Sequence, residues 1–595
     1  MENSPPTSSS SGWLSYPRVL WVSLAIALGL GLLALRASFM ADEFIFLGIL
    51  GEVPQPAPLG TSALDLYNLI PGDPAVMQPL IQKGVYPWWT LPDLKISFWR
   101  PLSSAILLVE HKFFGDQPMG YHAHTALWYV ALVAMAGVLL RRVLPTAVAA
   151  LALLFFTLDD SHALAVAWLA NRSTIISMFF GLVAVCLHLE WRQKGRTWAL
   201  PLSVLSLVVG LAAAETALLV IGYLLAYELL GAEGPLSTRL KAMAPTALVL
   251  IVYSVAHTAL GYGAAGSDMH IDPLAQPLFW LQTALLWVPI NLAGLFLNAP
   301  IDMFVDAKNE LPLAAAGIVG MVLVGLMLRA SWSGLDEPER RQLRWLLAGF
   351  ASSVVAAATT GPSVRILLVP SLGAAIILAV VVHHAWRRRQ RNWRGWALVV
   401  GAGAMVLFHA VLAPFSWWTS VDLLRNFSAS NGRVQQQYQA MLDQESLPHQ
   451  RVVQINVPNA SMGVYASILW WATGKALPQS WWVLSYDTHE QRITRTGPST
   501  LEIEPQGGRF FSSVVERIHR SKRYPLPVGH EVKLDGMIVK VLEVDAEGVR
   551  KLSFTFDVPL EDPSLVLLHW KNRKVQRFVP PPMGDQVSLN ALAIE

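Results

Sequence analysis

The 595-residue sequence predicts a polytopic α-helical membrane protein carrying a C-terminal, extracytoplasmic, mainly-β domain. Three observations predict this. Hydrophobic residues make up 53% of the chain and charged residues only 14%, against about 25% charged in an ordinary soluble domain. Apolar stretches long enough to cross a bilayer, which needs roughly 20 residues, recur from residue 18 to about 415. Beyond that point the apolar residues alternate with polar ones instead.

Apolar segments run over 18–38, 122–140, 145–159, 173–190, 197–213, 216–231, 242–262, 277–298, 311–329, 345–361, 365–385 and 395–414. The Ser/Pro-rich stretch 1–17 reads as a disordered cytoplasmic tail. No small-residue cleavage site follows Val19–Leu35, so the first segment reads as a retained anchor. Trp198–Leu230 is apolar for 33 residues apart from Glu215 and Glu228. As one helix it would be roughly 50 Å long, too long for a single crossing, so a bend at Glu215 is expected.

Cations orient the spans, because Lys and Arg favour cytoplasmic loops. Arg141-Arg142, Arg192/Lys194/Arg196, Arg239/Lys241, Arg340/Arg341/Arg344 and Arg387-Arg388-Arg389/Arg391/Arg394 mark those loops. The N-terminus is then cytoplasmic, while the large loop 39–121 and the tail face outside. That parity demands an odd number of crossings. The segment 277–298, with Pro289 and Asn291, is expected to be re-entrant or interfacial, leaving about eleven crossings. The single cysteine, Cys186, excludes an intramolecular disulfide framework. The basic pI near 8.8 reflects the cytoplasmic loops, and no nucleic-acid partner is inferred.

The tail 422–595 begins with a polar helical piece, 434–442. It then shows period-two runs at 452–457, 501–504, 532–536 and 552–557, separated by Gly, Pro and Asp. These suggest a β-sandwich-like domain with a structural or acceptor-docking role and no catalytic constellation. The pairs Trp88-Trp89, Trp417-Trp418 and Trp481-Trp482 read most simply as interfacial belts.

On this topology the unusual polar residues fall on outer turns. Asp42-Glu43 follows the first span; Arg100 and His122 belong to the first outer loop and the next helix entry. Asp160, His162 and Arg172 flank the turn after 145–159, Glu215 sits at the expected bend, and Arg365 opens a late span. Carboxylates beside hydrocarbon lose solvation, so a retained acidic pair there points to chemistry. Each residue also has a plainer reading. Asp42-Glu43 suits a solvated helix end, Asp160 an ordinary polar turn, and His122, like His124, packing or an interfacial position. Arg100, Arg172 and Arg365 suit side chains snorkelling to headgroups. Together, arginines able to grip phosphate and a carboxylate able to deprotonate an acceptor hydroxyl match transfer of a sugar from a lipid-borne phosphate.

In these residues the chain resembles the GT-C superfamily of polytopic membrane glycosyltransferases, nearest the protein O-mannosyltransferase and TPR-containing transmembrane mannosyltransferase branch. The resemblance covers about 18–415. It runs through Ala41-Asp42-Glu43-Phe44, Phe98-Trp99-Arg100-Pro101, Gly120-Tyr121-His122, Trp168-Leu169-Ala170-Asn171-Arg172, Ala214-Glu215-Thr216 and Ser363-Val364-Arg365-Ile366. It implies that Asp42 is the catalytic base with Glu43 as neighbour or substitute. It further implies that Arg365 binds the donor phosphate and that Glu215, Arg172 and Arg100 line the pocket. Ala214 stands where relatives often carry Lys, Ile366 where they carry an aromatic, and no TPR repeat follows.

The expected partners are a polyprenyl-phosphate-linked sugar donor, an extracytoplasmic protein or glycan acceptor, and membrane lipid. No metal-ligand set is read, and a divalent metal is left open. The alternative from another class is a transporter, or a non-catalytic or degenerate membrane protein for polysaccharide export or assembly.

Overall fold

The computed structural model describes residues 15–55, 59, 61–302, 309–387, 392–460 and 462–592. The stretch 1–17 falls outside the described residues up to residue 14, as do Arg388, Arg389 and Arg391 of the most basic loop. The chain is mainly helical, with membrane-length apolar helices and β-sheets concentrated toward the C-terminus. It divides into two units. The first comprises 1–37, 117–255 and 281–424; the second comprises 38–116, 256–280 and 425–595.

Among the described residues seven helices are long and apolar enough to cross a membrane, or up to nine if each of two bent pairs is one span. The bent pairs are Thr146–Leu158 with Asp160–Ala167 and Leu236–Ala242 with Ala244–Ala259. The segment expected to be re-entrant or interfacial, 277–298, forms one continuous helix, Pro277–Leu297, long and apolar enough to cross a membrane. Pro289 lies inside it, and Gly317 of the helix Glu310–Trp332 packs against the Pro289 carbonyl, where a Cβ would overlap. A missing side chain on the neighbour thus accommodates the proline.

Elsewhere in the first unit the same close packing recurs. Gly31 of the helix Tyr16–Leu33 lies against Ala126 of Pro118–Val143. The long apolar run breaks where its length requires. Ala214 is extended (φ −167°, ψ 162°) between Ala199–Ala213 and Ala217–Ala226. Ser177 holds the break, its hydroxyl donating to the Ala214 carbonyl (2.7 Å) and accepting from the Ala217 amide (2.9 Å).

Among the described residues the second unit contains three sheets. Strands β1 (Asn68–Pro71), β2 (Lys95–Ser97) and β3 (Gly263–Ala265) form a small antiparallel sheet. The tail supplies β4 (Arg451–Gln454), β5 (Ser480–Val483), β6 (Glu490–Gly497), β7 (Thr500–Gln506) and β8 (Glu531–Leu534). It continues with β9 (Met537–Asp545), β10 (Gly548–Phe556), β11 (Leu565–Lys571), β12 (Lys574–Arg577) and β13 (Gln586–Leu589). Six of these form an antiparallel sheet ordered β13-β6-β7-β10-β9-β8. The other four form a mixed sheet, β12-β11-β4-β5, in which β4 runs parallel to both neighbours.

The mixed sheet departs from the expected sandwich of alternating strands. Every residue of β4 and β5 is buried, the signature of a strand covered on both faces, and the helix Val464–Ala472 lies between them in the chain. The tryptophan pairs also differ from the interfacial reading. Trp88, Trp89, Trp481 and Trp482 are buried in the second unit and Trp417 in the first; only Trp418 is exposed. Trp88 packs edge-on against Phe511 and Phe554, and Trp89 against Tyr486. Large aromatic area buried here outweighs any preference of indole for an interface.

Candidate active site

The nine expected site residues divide between the units: Asp42, Glu43 and Arg100 belong to the second, the other six to the first.

In the second unit, Ala41 adopts φ +50°, a left-handed conformation that costs a residue with a Cβ about 1 kcal/mol. It turns the chain into the helix Glu43–Leu50. Glu43 bends back so that its Oε2 accepts the Met40 amide at 2.8 Å, and its side chain is buried. Asp42, one residue earlier, stays half-buried and accepts the Tyr465 hydroxyl at 2.7 Å. One carboxylate closes the turn and the other is presented beyond it. Adjacent acids in sequence therefore occupy different chemical environments.

Aromatic rings surround this position. Burial, and then the Asp42 charge, raise the pKa of Tyr465 well above the ordinary phenol range, so it remains a hydrogen-bond donor. Burial and the same charge raise Tyr86, whose hydroxyl donates to the Leu69 carbonyl. Phe46, one turn beyond Asp42, packs on Tyr67 at 5.1 Å. Arg100 caps the helix Pro101–Phe114 and sets its guanidinium 5.0 Å from that Tyr67 ring and 4.5 Å from Phe98. Arg100 is thus a cation held on aromatic faces, linked through Tyr67 and Phe46 to the helix that Asp42 begins.

A narrow, mainly apolar cleft lies alongside, lined by Ile45, Lys83, Tyr86, Ile468, Trp471 and Trp481 among others. Among the described residues that line it, Lys83 carries the charge.

In the first unit, Asp160 and Arg365 meet around Asp302. With its amide turned to face the carboxylate, Asn298 donates to both Asp160 oxygens, at 2.6 and 2.9 Å. The Asp302 carboxylate accepts the Val364 amide at 3.1 Å, next to Arg365. Burial raises the Asp302 carboxyl, opposed by hydrogen bonds from Ser363 and Val364 and by the Arg365 charge. Arg365 itself lies 5.4 Å from the Trp168 ring centre. Neither Asn298 nor Asp302 was anticipated; both follow an apolar segment, and only their position against the late turn 363–365 singles them out.

The histidines and Arg172 are more deeply placed. His162 is fully buried, with Nδ1 at 3.1 Å from the Tyr129 hydroxyl and Nε2 at 2.9 Å from the Ser371 hydroxyl. Both hydroxyls donate elsewhere, Tyr129 to the Thr157 carbonyl and Ser371 to the Leu368 carbonyl, so each presents the imidazole with an acceptor oxygen. His122 is buried within Pro118–Val143, the residue after Tyr121, whose carbonyl lies 3.5 Å from the Arg172 guanidinium. Thr125 Oγ1 lies 3.4 Å from the same guanidinium. Glu215 sits half-buried at the helix break. Among the described residues no group of three or more His, Cys, Asp or Glu is arranged to hold a metal ion.

No protein-family model matches the chain, and no curated protein matches it. Among solved structures it is similar to ArnT from Cupriavidus metallidurans bound to undecaprenyl phosphate. The identity is 15% and the TM-score 0.38, covering 78% of this chain and 89% of that one. It is also similar to an oligosaccharyltransferase from Archaeoglobus fulgidus tethered with an acceptor peptide. There the identity is 14% and the TM-score 0.40, covering 80% and 64%. Both likenesses are distant, and neither decides the chemistry of this chain.

Proposed function

We propose that this protein is an integral-membrane glycosyltransferase of the GT-C kind. It moves a sugar from a polyprenyl-phosphate-linked donor to an extracytoplasmic protein or glycan acceptor, with Asp42 as general base. Its N-terminus is cytoplasmic, and the loop and tail of the second unit face outside. The observation that carries the reading is the division of labour between Asp42 and Glu43. Glu43 is consumed by the turn, whereas Asp42 is half-exposed, oriented by a phenol and entered through a left-handed residue. Retained strain beside a presented carboxylate is a mark of a working position.

The chemistry follows from the acid. The Asp42 carboxylate takes the proton of an acceptor hydroxyl as its oxygen forms a bond to the anomeric carbon. The bond from that carbon to the phosphate oxygen breaks, and polyprenyl phosphate leaves with the electron pair. Within the first unit Arg365 is the residue suited to hold a phosphate, with Arg172 and Glu215 as candidate binding residues of that unit, while Arg100 belongs with Asp42 in the second. Asp160, His122 and His162 are further candidate binding residues of the first unit.

The test is transfer from radiolabelled polyprenyl-phosphate-linked hexoses and pentoses by membranes containing the full chain. Wild-type membranes transfer label to endogenous or added acceptor, and Asp42→Asn membranes with equal folded protein do not. Equal transfer by the two would overturn the reading.

A further inference from the structure

The helices Glu43–Leu50 and Val464–Ala472 lie side by side in matched register. Asp42, at the start of the first, accepts from Tyr465. Three residues on in each, Ile45 and Ile468 line one cleft. Three further on, Gly48 lies under the Trp471 ring, where a Cβ would overlap the indole. Trp471 is fixed in turn by donating to the Pro54 carbonyl at 2.8 Å.

The start of the tail helix is pinned as firmly. The Val464 amide donates to the Tyr486 hydroxyl at 2.7 Å, and Gly463 leaves room for that phenol, which a Cβ would strike. The Tyr465 amide donates to the Ala460 carbonyl at 3.0 Å. Each end of the contact is held before Tyr465 reaches Asp42.

We propose that Tyr465 is a positioning residue for Asp42, fixing the plane of its carboxylate and keeping it ionised by donating to Oδ1. The inference rests on Asp42 being the base. It also gives the tail a part in the chemistry beyond structure or docking. A hydrogen bond to the charged form of an acid lowers its pKa. Among the described residues, the ionisable groups around this pair include Tyr86, Tyr486 behind Tyr465, and Glu43 beside Asp42 in the chain. Tyr86 and Tyr486 are engaged with the Leu69 carbonyl and the Val464 amide.

The test compares full-length wild type with Tyr465→Phe. Carbodiimide labelling of Asp42, followed by peptide mass spectrometry across pH, gives the titration midpoint without requiring turnover. The expected result is a midpoint raised by about one pH unit in Tyr465→Phe. The acid limb of the transfer rate moves upward to match. A limb position read within one preparation does not depend on the folded fraction, so a packing role alone leaves it in place. An unchanged midpoint overturns the proposal. If Asp42→Asn is inactive while Tyr465→Phe titrates like wild type, only the positioning role fails. If Asp42→Asn transfers normally, the base assignment fails.

Discussion

Gly48 lies against the indole of Trp471, close enough that any side chain at that position would occupy the ring's place. These two residues belong to segments 423 positions apart. Their contact sets the distance at which the tail helix approaches the helix Asp42 begins. Gly48→Val is expected to cost about 1–3 kcal/mol through overpacking and to reduce transfer by displacing Tyr465. Thermal unfolding and transfer rates check this together. A Tm and rate both equal to wild type would mean the helices are free to separate.

The two acids should respond differently to isosteric amides. Asp42→Asn is expected to lower kcat by about 10²–10⁴-fold, the usual worth of a general base, with little change in Tm. Glu43→Gln keeps an oxygen for the Met40 amide and exchanges a charge-assisted bond for a neutral one. It should cost about 1 kcal/mol of stability and leave kcat within several-fold. Reversal of that order would exchange their roles.

Arg365 is assigned to the donor phosphate, not to the acceptor. Arg365→Ala is expected to raise the donor KM about tenfold or more, since charge-assisted hydrogen bonds are worth roughly 1.5–3 kcal/mol. The acceptor KM should stay near wild type. Initial-rate kinetics with each substrate varied in turn measure this, and a rise confined to the acceptor KM would contradict it.

Glu516 and His519 give the second unit opposed pH dependences. Burial pushes the Glu516 carboxyl up to about 7 from 4.5, despite hydrogen bonds from Ser513 and Phe511. Its contribution is full below pH 4.5 and is lost as pH rises through 7. Burial pushes His519 down to about 4 from 6.5, against a bond to the Val515 carbonyl. Folding therefore gains from His519 as pH rises from 4 to 6.5. Between pH 4.5 and 6.5 the two slopes oppose each other. Glu516→Gln removes one, and its stability should climb across that window where wild type changes little. Denaturant midpoints at pH 4.5, 5.5 and 6.5 read the difference; parallel curves for both proteins would refute it.

Much of the architecture was legible because it depends on local composition. Apolar length marked the helices, and the excess length of Trp198–Leu230 required the break seen at Ala214. Alternation at 501–504 marked β7, which has one face covered. The run 452–457 was read as alternating, yet every residue of β4 is buried and the strand runs parallel to both neighbours, which alternation along the chain does not encode. The tryptophan pairs misled for a related reason. Indole suits both a membrane interface and a core, and only the partners Phe511, Phe554 and Tyr486 decide for Trp88 and Trp89.

By itself the sequence determined a membrane protein of many helices with a β-rich end, and an acidic pair after its first apolar segment. Those are consequences of hydropathy, period and charge, which need no knowledge of distant neighbours. Only the tertiary structure decided that Glu43 folds back onto Met40 while Asp42 meets Tyr465. Hydrogen bonds act over about 3 Å in space, and no pattern along a chain records which residue hundreds of positions away will arrive there.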